Sequence, residues 1–154
     1  MKIITYSDKY REATIKLIFD ILEDELGRHS KSGRPDLYNI PQVYQKNKGN
    51  FWIAVDDKRV VGTVGLSDHG RQRGYLERMY VDKEYRRKGL GKKLLSYLLK
   101  FAKSNGYKKI FLSTWEGMVA ANNFYIKNGF LKIKYLPQGF SHSSSDNVFY
   151  KLKL

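Results

Sequence analysis

Tyr10, Ala13, Thr14, Leu17, Ile18, Ile21 and Leu22 recur at spacings of three and four, which predicts an amphipathic helix over residues 9–26 that Gly27 can end. A second stripe (Leu90, Leu94, Leu95, Leu98, Leu99 and Ala102) is opposed by Lys92, Lys93, Ser96, Lys100 and Lys103. It predicts a helix from about Lys88 to the stop at Asn105-Gly106. Between and after these helices the apolar residues cluster in short runs. Ile3–Tyr6, Phe51–Val55, Val60–Leu66, Tyr75–Val81, Ile110–Trp115, Phe130–Leu136 and Val148–Leu154 read as strands. Asp56-Asp57-Lys58-Arg59 joins two of them as a hairpin. A short helix is expected around Pro41–Lys46, and another over Met118–Lys127, closed by Asn128-Gly129. Residues 28–36 read as a polar loop, and Ser141–Asp146 as a Ser-rich loop.

The resulting order is β-α-α-β-β-β-α-β-α-β-β. Hairpins followed by a βαβ unit predict an α/β or α+β mixed sheet, mostly antiparallel, with helices on both faces. The 154 residues contain no repeat and no linker, so they are read as a single domain over 1–154. Apolar content of 42% and aromatic content of 14% argue for a packed core. No apolar run approaches the ~20 residues of a membrane span, and the first residues are too short an apolar stretch for a signal peptide. There is no cysteine. Disulfides, thiolate metal sites and acyl-cysteine intermediates are thereby excluded, and a cytoplasmic protein is expected.

The chemistry concentrates in one hexapeptide. Arg86-Arg87-Lys88-Gly89-Leu90-Gly91 lies between a predicted strand and a predicted helix. Amides of a first helical turn lack intrahelical partners and carry the positive end of the helix dipole, so such a turn suits a phosphate. Glycines let an anion approach the main chain closely. The dinucleotide fingerprint is excluded, since it would need a glycine at Leu94. A P-loop would need one at Arg86 and a hydroxyl at Lys93.

Two stretches together resemble the GNAT superfamily of acyl-CoA-dependent N-acetyltransferases. Residues 75–91 resemble that family's acyl-CoA-binding strand, pyrophosphate turn and helix. Ala121-Asn-Asn-Phe-Tyr125-Ile-Lys-Asn-Gly-Phe130 resembles its A-x-x-F-Y-x-K-x-G-F helix and following strand. The motif similarity covers residues 75–130, and the predicted order of elements is that of the GNAT fold.

The resemblance implies acetyl-CoA as acyl donor, direct transfer to a primary amine, and no metal. Arg86, Arg87, Lys88, Gly89, Leu90, Gly91 and Lys92 would hold the pyrophosphate. The backbone of Met79, Tyr80 and Val81 would pair with the pantetheine arm as an added strand. Tyr125 takes the position of the family's general acid, which protonates the thiolate; read from the sequence pattern alone, it is equally an aromatic core residue beside Phe124. Glu77 takes the position of the base that accepts the amine proton. A carboxylate in an apolar strand is otherwise an ion-pair member, with Arg78, Arg73 or a helix lysine as partner. Alternation along a regular strand turns Arg78 to the opposite face. The family's asparagine three residues before the motif alanine is Met118 here, which puts that side-chain contact in doubt; Asn122 and Asn123 follow one turn later, with Asn122 the candidate substitute.

The acceptor site is expected from the first helix, residues 27–40, and the loops near Trp115 and Leu136–Ser145. Glu23, Glu25, Asp36, Glu116 and Asp146 are the carboxylates that would hold a cationic amine, or else are solvated surface charges. His29, His69 and His142 fall in a loop, a turn and the Ser-rich loop, at separations that suggest no metal site. Gly65-Leu66-Ser67-Asp68-His69 lacks the second glycine of a nucleophile elbow.

The formal charge of +14, with a pI near 9.8, leaves a rival open: a basic module that binds a polyanion or senses acyl-CoA without catalysis. The charge is dispersed over nearly every element, which argues against a nucleic-acid stripe. An edge strand near the C-terminus offers a surface for a homodimer, though no residue demands one.

Overall fold

The computed structural model describes residues 1–27 and 34–154. Seven strands form one sheet in the order β1-β2-β3-β4-β5-β7-β6. They are β1 (Lys2–Thr5), β2 (Asn50–Asp56), β3 (Arg59–Asp68), β4 (Arg73–Val81), β5 (Lys109–Thr114), β6 (Leu131–Ile133) and β7 (Val148–Lys153). All neighbours pair antiparallel except β4 and β5, which are parallel. Helices α1 (Arg11–Leu26), α2 (Ile40–Val43), α3 (Leu90–Ser104) and α4 (Val119–Lys127) complete the fold.

The sheet is covered on both faces, and β2 shows why. Its residues alternate between two cores, as period-two side chains must. Phe51, Ile53 and Val55 pack with Leu17 and Ile21 of α1. Trp52 and Ala54 pack with Leu90, Leu94, Leu95, Leu98 and Ala102 of α3. Every position of the predicted α3 stripe is buried except Leu99, which is partly buried against the same core. Truncating Leu94, fully buried here, would cost about 2–5 kcal/mol by the usual transfer and cavity terms.

Most element boundaries fall within two residues of those predicted, and three differences carry information. Helix α3 starts at Leu90 rather than Lys88, because Arg87 (φ +60°) and Gly89 (φ +81°) are left-handed and cannot be helical. The strand expected over Phe130–Leu136 shrinks to three residues. It lies at the sheet edge, pairing only with Phe149–Lys151 of β7, and nothing covers Leu131 or Tyr135, which are 67% and 73% exposed. The short helix expected at Pro41–Lys46 is the single turn α2, which begins one residue earlier. Of the polar loop expected over 28–36, residues 28–33, His29 among them, lie outside the described residues. Residues Pro35–Tyr38 form a 3-10 turn with Leu37 fully buried.

Candidate active site

The site begins with a fault in β4. Thr63 of β3 pairs with Tyr80, and Gly65 with Glu77, so Val64 faces two residues, Arg78 and Met79. That is a β-bulge, and within it Arg78 takes a positive φ (+53°). Thr63 Oγ1 donates to the Arg78 carbonyl at 2.7 Å and holds the bulge closed. On its other side β4 pairs with β5 only through Arg73–Tyr75 and Lys109–Phe111. Beyond Tyr75 the two strands part.

A cleft of about 520 Å³ opens where they part. Its lining includes Glu77, Arg78, Met79 and Tyr80 from β4; Ser113 and Thr114 from β5; Met118, Ala121 and Tyr125 from the α4 segment; and Ser141–Ser143 with Asp146 from the loop before β7. Leu22, Arg34 and Trp115 also reach it, so the helix and loops expected to shape an acceptor site do border the cleft.

Glu77 and Tyr125 approach this cleft from different sides. Leu76, next to Glu77, belongs to the α3-side core, which also contains Tyr125. Alternation therefore puts Glu77, with Tyr75, on the other face. Glu77 has no ion-pair partner among the described residues. Its Oε2 accepts from Ser67 Oγ at 2.8 Å. Burial raises its pKa to about 7, reinforced by the Asp36 charge and opposed by the Ser67 hydrogen bond and the Arg78 charge. The ion-pair reading named Arg78 as a partner, but Arg78 is taken. Its Nε and Nη2 donate to the two carboxylate oxygens of Asp36 at 2.9 and 2.8 Å, and Tyr44 Oη donates to Asp36 at 2.7 Å. Asp36 is thus not a free surface carboxylate. Burial disfavours the Arg78 charge, but the Asp36 bonds outweigh it and the guanidinium stays ionised.

Tyr125 packs its ring against Phe124, Phe130 and Tyr150, with centroids 5.6, 5.6 and 6.0 Å away. Burial pushes its hydroxyl pKa well up, and the nearby Tyr80 and Asp146 charges add to this, so the phenol stays protonated. Tyr125 is a core residue, 7% exposed, that also lines the cleft.

The basic turn lies just after β4. Arg86, Arg87, Lys88, Gly89 and Lys92 are exposed, and Gly91 is partly so. The first amide to bond back is that of Lys93, to the Gly89 carbonyl at 3.0 Å. The amides of Leu90, Gly91 and Lys92 precede it and have no helical partner. Gly89 must be left-handed, whereas a Cβ on Gly91 would meet only ordinary contacts with Phe124 and Met79 at 3.5–3.8 Å. Arg86 is tied to the protein, with its Nε on the Val81 carbonyl at 2.8 Å and its guanidinium on Glu25 of α1. Arg86 fixes the turn against α1, while Arg87, Lys88 and Lys92 make no ion pair among the described residues.

Asn122 has other partners. Its amide donates to the Trp115 and Met118 carbonyls at 3.1 and 2.8 Å, and its oxygen accepts from Tyr150 Oη at 2.6 Å. It joins the end of β5 to α4 and β7. Of the five acceptor-site carboxylates, Asp146 alone lines the cleft among the described residues, accepting from Ser113 Oγ at 2.7 Å. Glu25 is engaged by Arg86.

Sequence reasoning missed Ser67 and His69. In the sequence Ser67 stands in a stretch that lacks the second glycine of a nucleophile elbow, and His69 is a turn histidine with no metal-site spacing. The pairing of Ser67 with Tyr75 across β3 and β4 is what brings them to Glu77, and that register is set by strand pairing, not by a local motif.

The profile of the Acetyltransferase (GNAT) family matches residues 15–130. N-acetylaspartate synthetase from Xenopus tropicalis is 35% identical over 126 residues, covering 78% of this chain and 46% of that protein. The chain therefore spans less than half the length of that curated relative. The crystal structure of a GNAT-family acetyltransferase from Staphylococcus aureus superposes with a TM-score of 0.92 at 36% identity, covering 99% of this chain and 98% of that one. The same fold, at 22% identity and a TM-score of 0.80, is found in an N-acetyltransferase from Thermoplasma acidophilum in complex with coenzyme A, with 99% of this chain and 98% of that one covered. This chain belongs to the GNAT acetyltransferase family.

Proposed function

We propose that this chain transfers the acetyl group of acetyl-CoA to a primary amine by direct attack, with Glu77 as base and Tyr125 as acid. The observation that carries this reading is that both residues line one cleft, which opens between the parting strands β4 and β5 just before the basic glycine turn.

In this reading the amides of Leu90, Gly91 and Lys92 receive the donor's pyrophosphate, with Arg87, Lys88 and Lys92 supplying charge. The pantetheine arm lies along Met79, Tyr80 and Val81, where β4 has no neighbour on its β5 side. The amine nitrogen attacks the thioester carbon and its proton passes to Glu77. A base with a pKa near 7 is half ionised at neutral pH and still basic enough to help, which is the useful range for this step. The C–S bond then breaks and its electron pair goes to sulfur. Tyr125, whose proton is held more firmly than a thiol's, stabilises the thiolate as a hydrogen-bond donor and passes a proton to it as solvent replaces its own. Asp146 is positioned to attract the ammonium form of the acceptor. The coenzyme A complex of the related fold and the family assignment support the donor. The relative named N-acetylaspartate synthetase makes L-aspartate one acceptor to try, beside L-lysine, spermidine and short peptides.

Calorimetric titration with acetyl-CoA, against adenosine diphosphate as control, tests the donor half. Micromolar binding clearly tighter than the control is expected. Equal binding of the two would mean the turn is only an anion site and would overturn the reading.

A further inference from the structure

His69 is a titratable group that the transfer steps do not use, yet only Ser67 separates it from the base. Ser67 Oγ lies 2.8 Å from Glu77 Oε2 and 3.2 Å from His69 Nε2. The hydroxyl has one proton and stands between two groups that each accept. The Gly139 backbone faces the ring and favours a proton on it. Assigning that proton to Nδ1 leaves Nε2 free to receive another.

We propose that Ser67 and His69 form the exit path for the proton that Glu77 takes from the amine. The proposal rests on Glu77 being the base. The path is balanced at every atom. The Glu77 carboxyl donates its proton to Ser67 Oγ as the Ser67 proton moves to His69 Nε2. Glu77 is again a carboxylate, His69 is an imidazolium, and the partly buried ring releases a proton to water. The hydroxyl, which donates to Glu77 at rest, must turn to His69 Nε2 before this transfer; afterwards the proton it has received lies on the Ser67–Glu77 line, so the starting hydrogen bond is restored.

The surroundings of His69 suit a transient carrier. Its ring stacks on Phe140 at 4.3 Å and 9° and meets the edge of Tyr75 at 5.6 Å. Asp68 is its chain neighbour and favours the imidazolium. Arg73 of β4 disfavours it; the arginine donates to the His69 carbonyl at 3.3 Å and lies over Phe140 at 5.1 Å. Glu77 reaches it through Ser67. Burial is the largest influence and lowers the histidine pKa, so the ring is neutral at rest and does not keep the proton it receives.

A purely structural role, with the ring clamping Phe140 and the loop that lines the cleft, makes different predictions. His69→Phe keeps a flat ring on Phe140 and removes the nitrogen, while Ser67→Ala cuts the path and leaves both ends. With acetyl-CoA and the fastest of the four acceptors, each variant is expected to lose roughly tenfold in kcat with KM for acetyl-CoA unchanged, and in His69→Gly, which empties the ring's place, added imidazole should restore much of the loss. A second readout needs no turnover. In ¹⁵N-histidine-labelled protein, the His69 ring resonances should show an inflection near pH 7 from Glu77, and this should weaken in Ser67→Ala and vanish in Glu77→Gln. Parent-like kcat in both variants, a loss in His69→Gly that imidazole does not restore, or His69 titrations identical in all three proteins would overturn the path. If those results came with an inactive Glu77→Gln, the path alone would fail. If Glu77→Gln turned over like the parent, the base assignment would fail as well.

Discussion

The two halves of β4 obey different rules. Gly74 and Tyr75 are paired on both sides, with Asp68 and Ser67 of β3 and with Ile110 and Phe111 of β5. Here a residue is judged by how it packs: a Cβ on Gly74 would sit 2.6 Å from Leu66 Cδ1 and 3.0 Å from Ile110 Cδ1. Leu76–Val81 is paired with β3 alone, across the Arg78 bulge, and its open side faces the cleft. There a carboxylate is kept with its pKa near 7, an arginine is bound in a bulge, and the backbone has no β5 partner. One strand is core at its start and site at its end. What converts it is a single extra residue and the loss of one neighbour, with little change in composition.

Substitutions separate the halves. In the open half, Glu77→Gln should lower kcat/KM by about 10²–10⁴-fold, the usual value of a general base, without unfolding the protein; steady-state kinetics beside a thermal melt checks both. Across the cleft, Tyr125→Phe should lower kcat by roughly 10²-fold while the calorimetric Kd for acetyl-CoA changes little. In the paired half, Gly74→Ala should do the reverse, destabilising by about 1–3 kcal/mol through overpacking, with the residual folded enzyme near normal in kcat. Gly91→Ala at the turn meets only ordinary contacts. It should leave the melt unchanged and weaken acetyl-CoA roughly tenfold if the main chain approaches the phosphate there.

The smallest effect is one of pH on stability. Glu77 has a folded pKa of about 7, above the ~4.3 of an unfolded chain. The folded state therefore binds the proton more tightly, and its stability falls as pH rises from about 4 to 7. Glu77→Gln removes that dependence. It should raise Tm more at pH 8 than at pH 5, by an amount on the order of 1–3 kcal/mol in stability.

The same contrast explains what could be read from the sequence. The α3 stripe, the alternation of β7 and the glycine turn are local patterns, and each stands where periodicity put it. The resemblance in residues 75–130 placed Glu77 and Tyr125, which share one cleft. Three features depend on how strands and segments pair and are not legible in local patterns. The bulge puts a non-glycine residue, Arg78, at positive φ, which nothing in Tyr75–Val81 announces. Asp36 looked like a solvated loop charge, because its partners Arg78 and Tyr44 are 42 and 8 residues away. Ser67 and His69 reach Glu77 only through the register of β3 on β4. The apolar run 130–136 reads as a longer strand than forms: β6 ends at Ile133 on the sheet edge, and Leu131 and Tyr135 are exposed.

The most direct test is the pH profile of kcat/KM for acetyl transfer in the parent and in Glu77→Gln. The base must be ionised to act, so the parent's rate should climb with pH through an inflection near 7. The variant should be slow throughout and lack that inflection. An inflection near 7 that survives in Glu77→Gln, with rates like the parent's, would contradict the claim that the open half of β4 supplies the base.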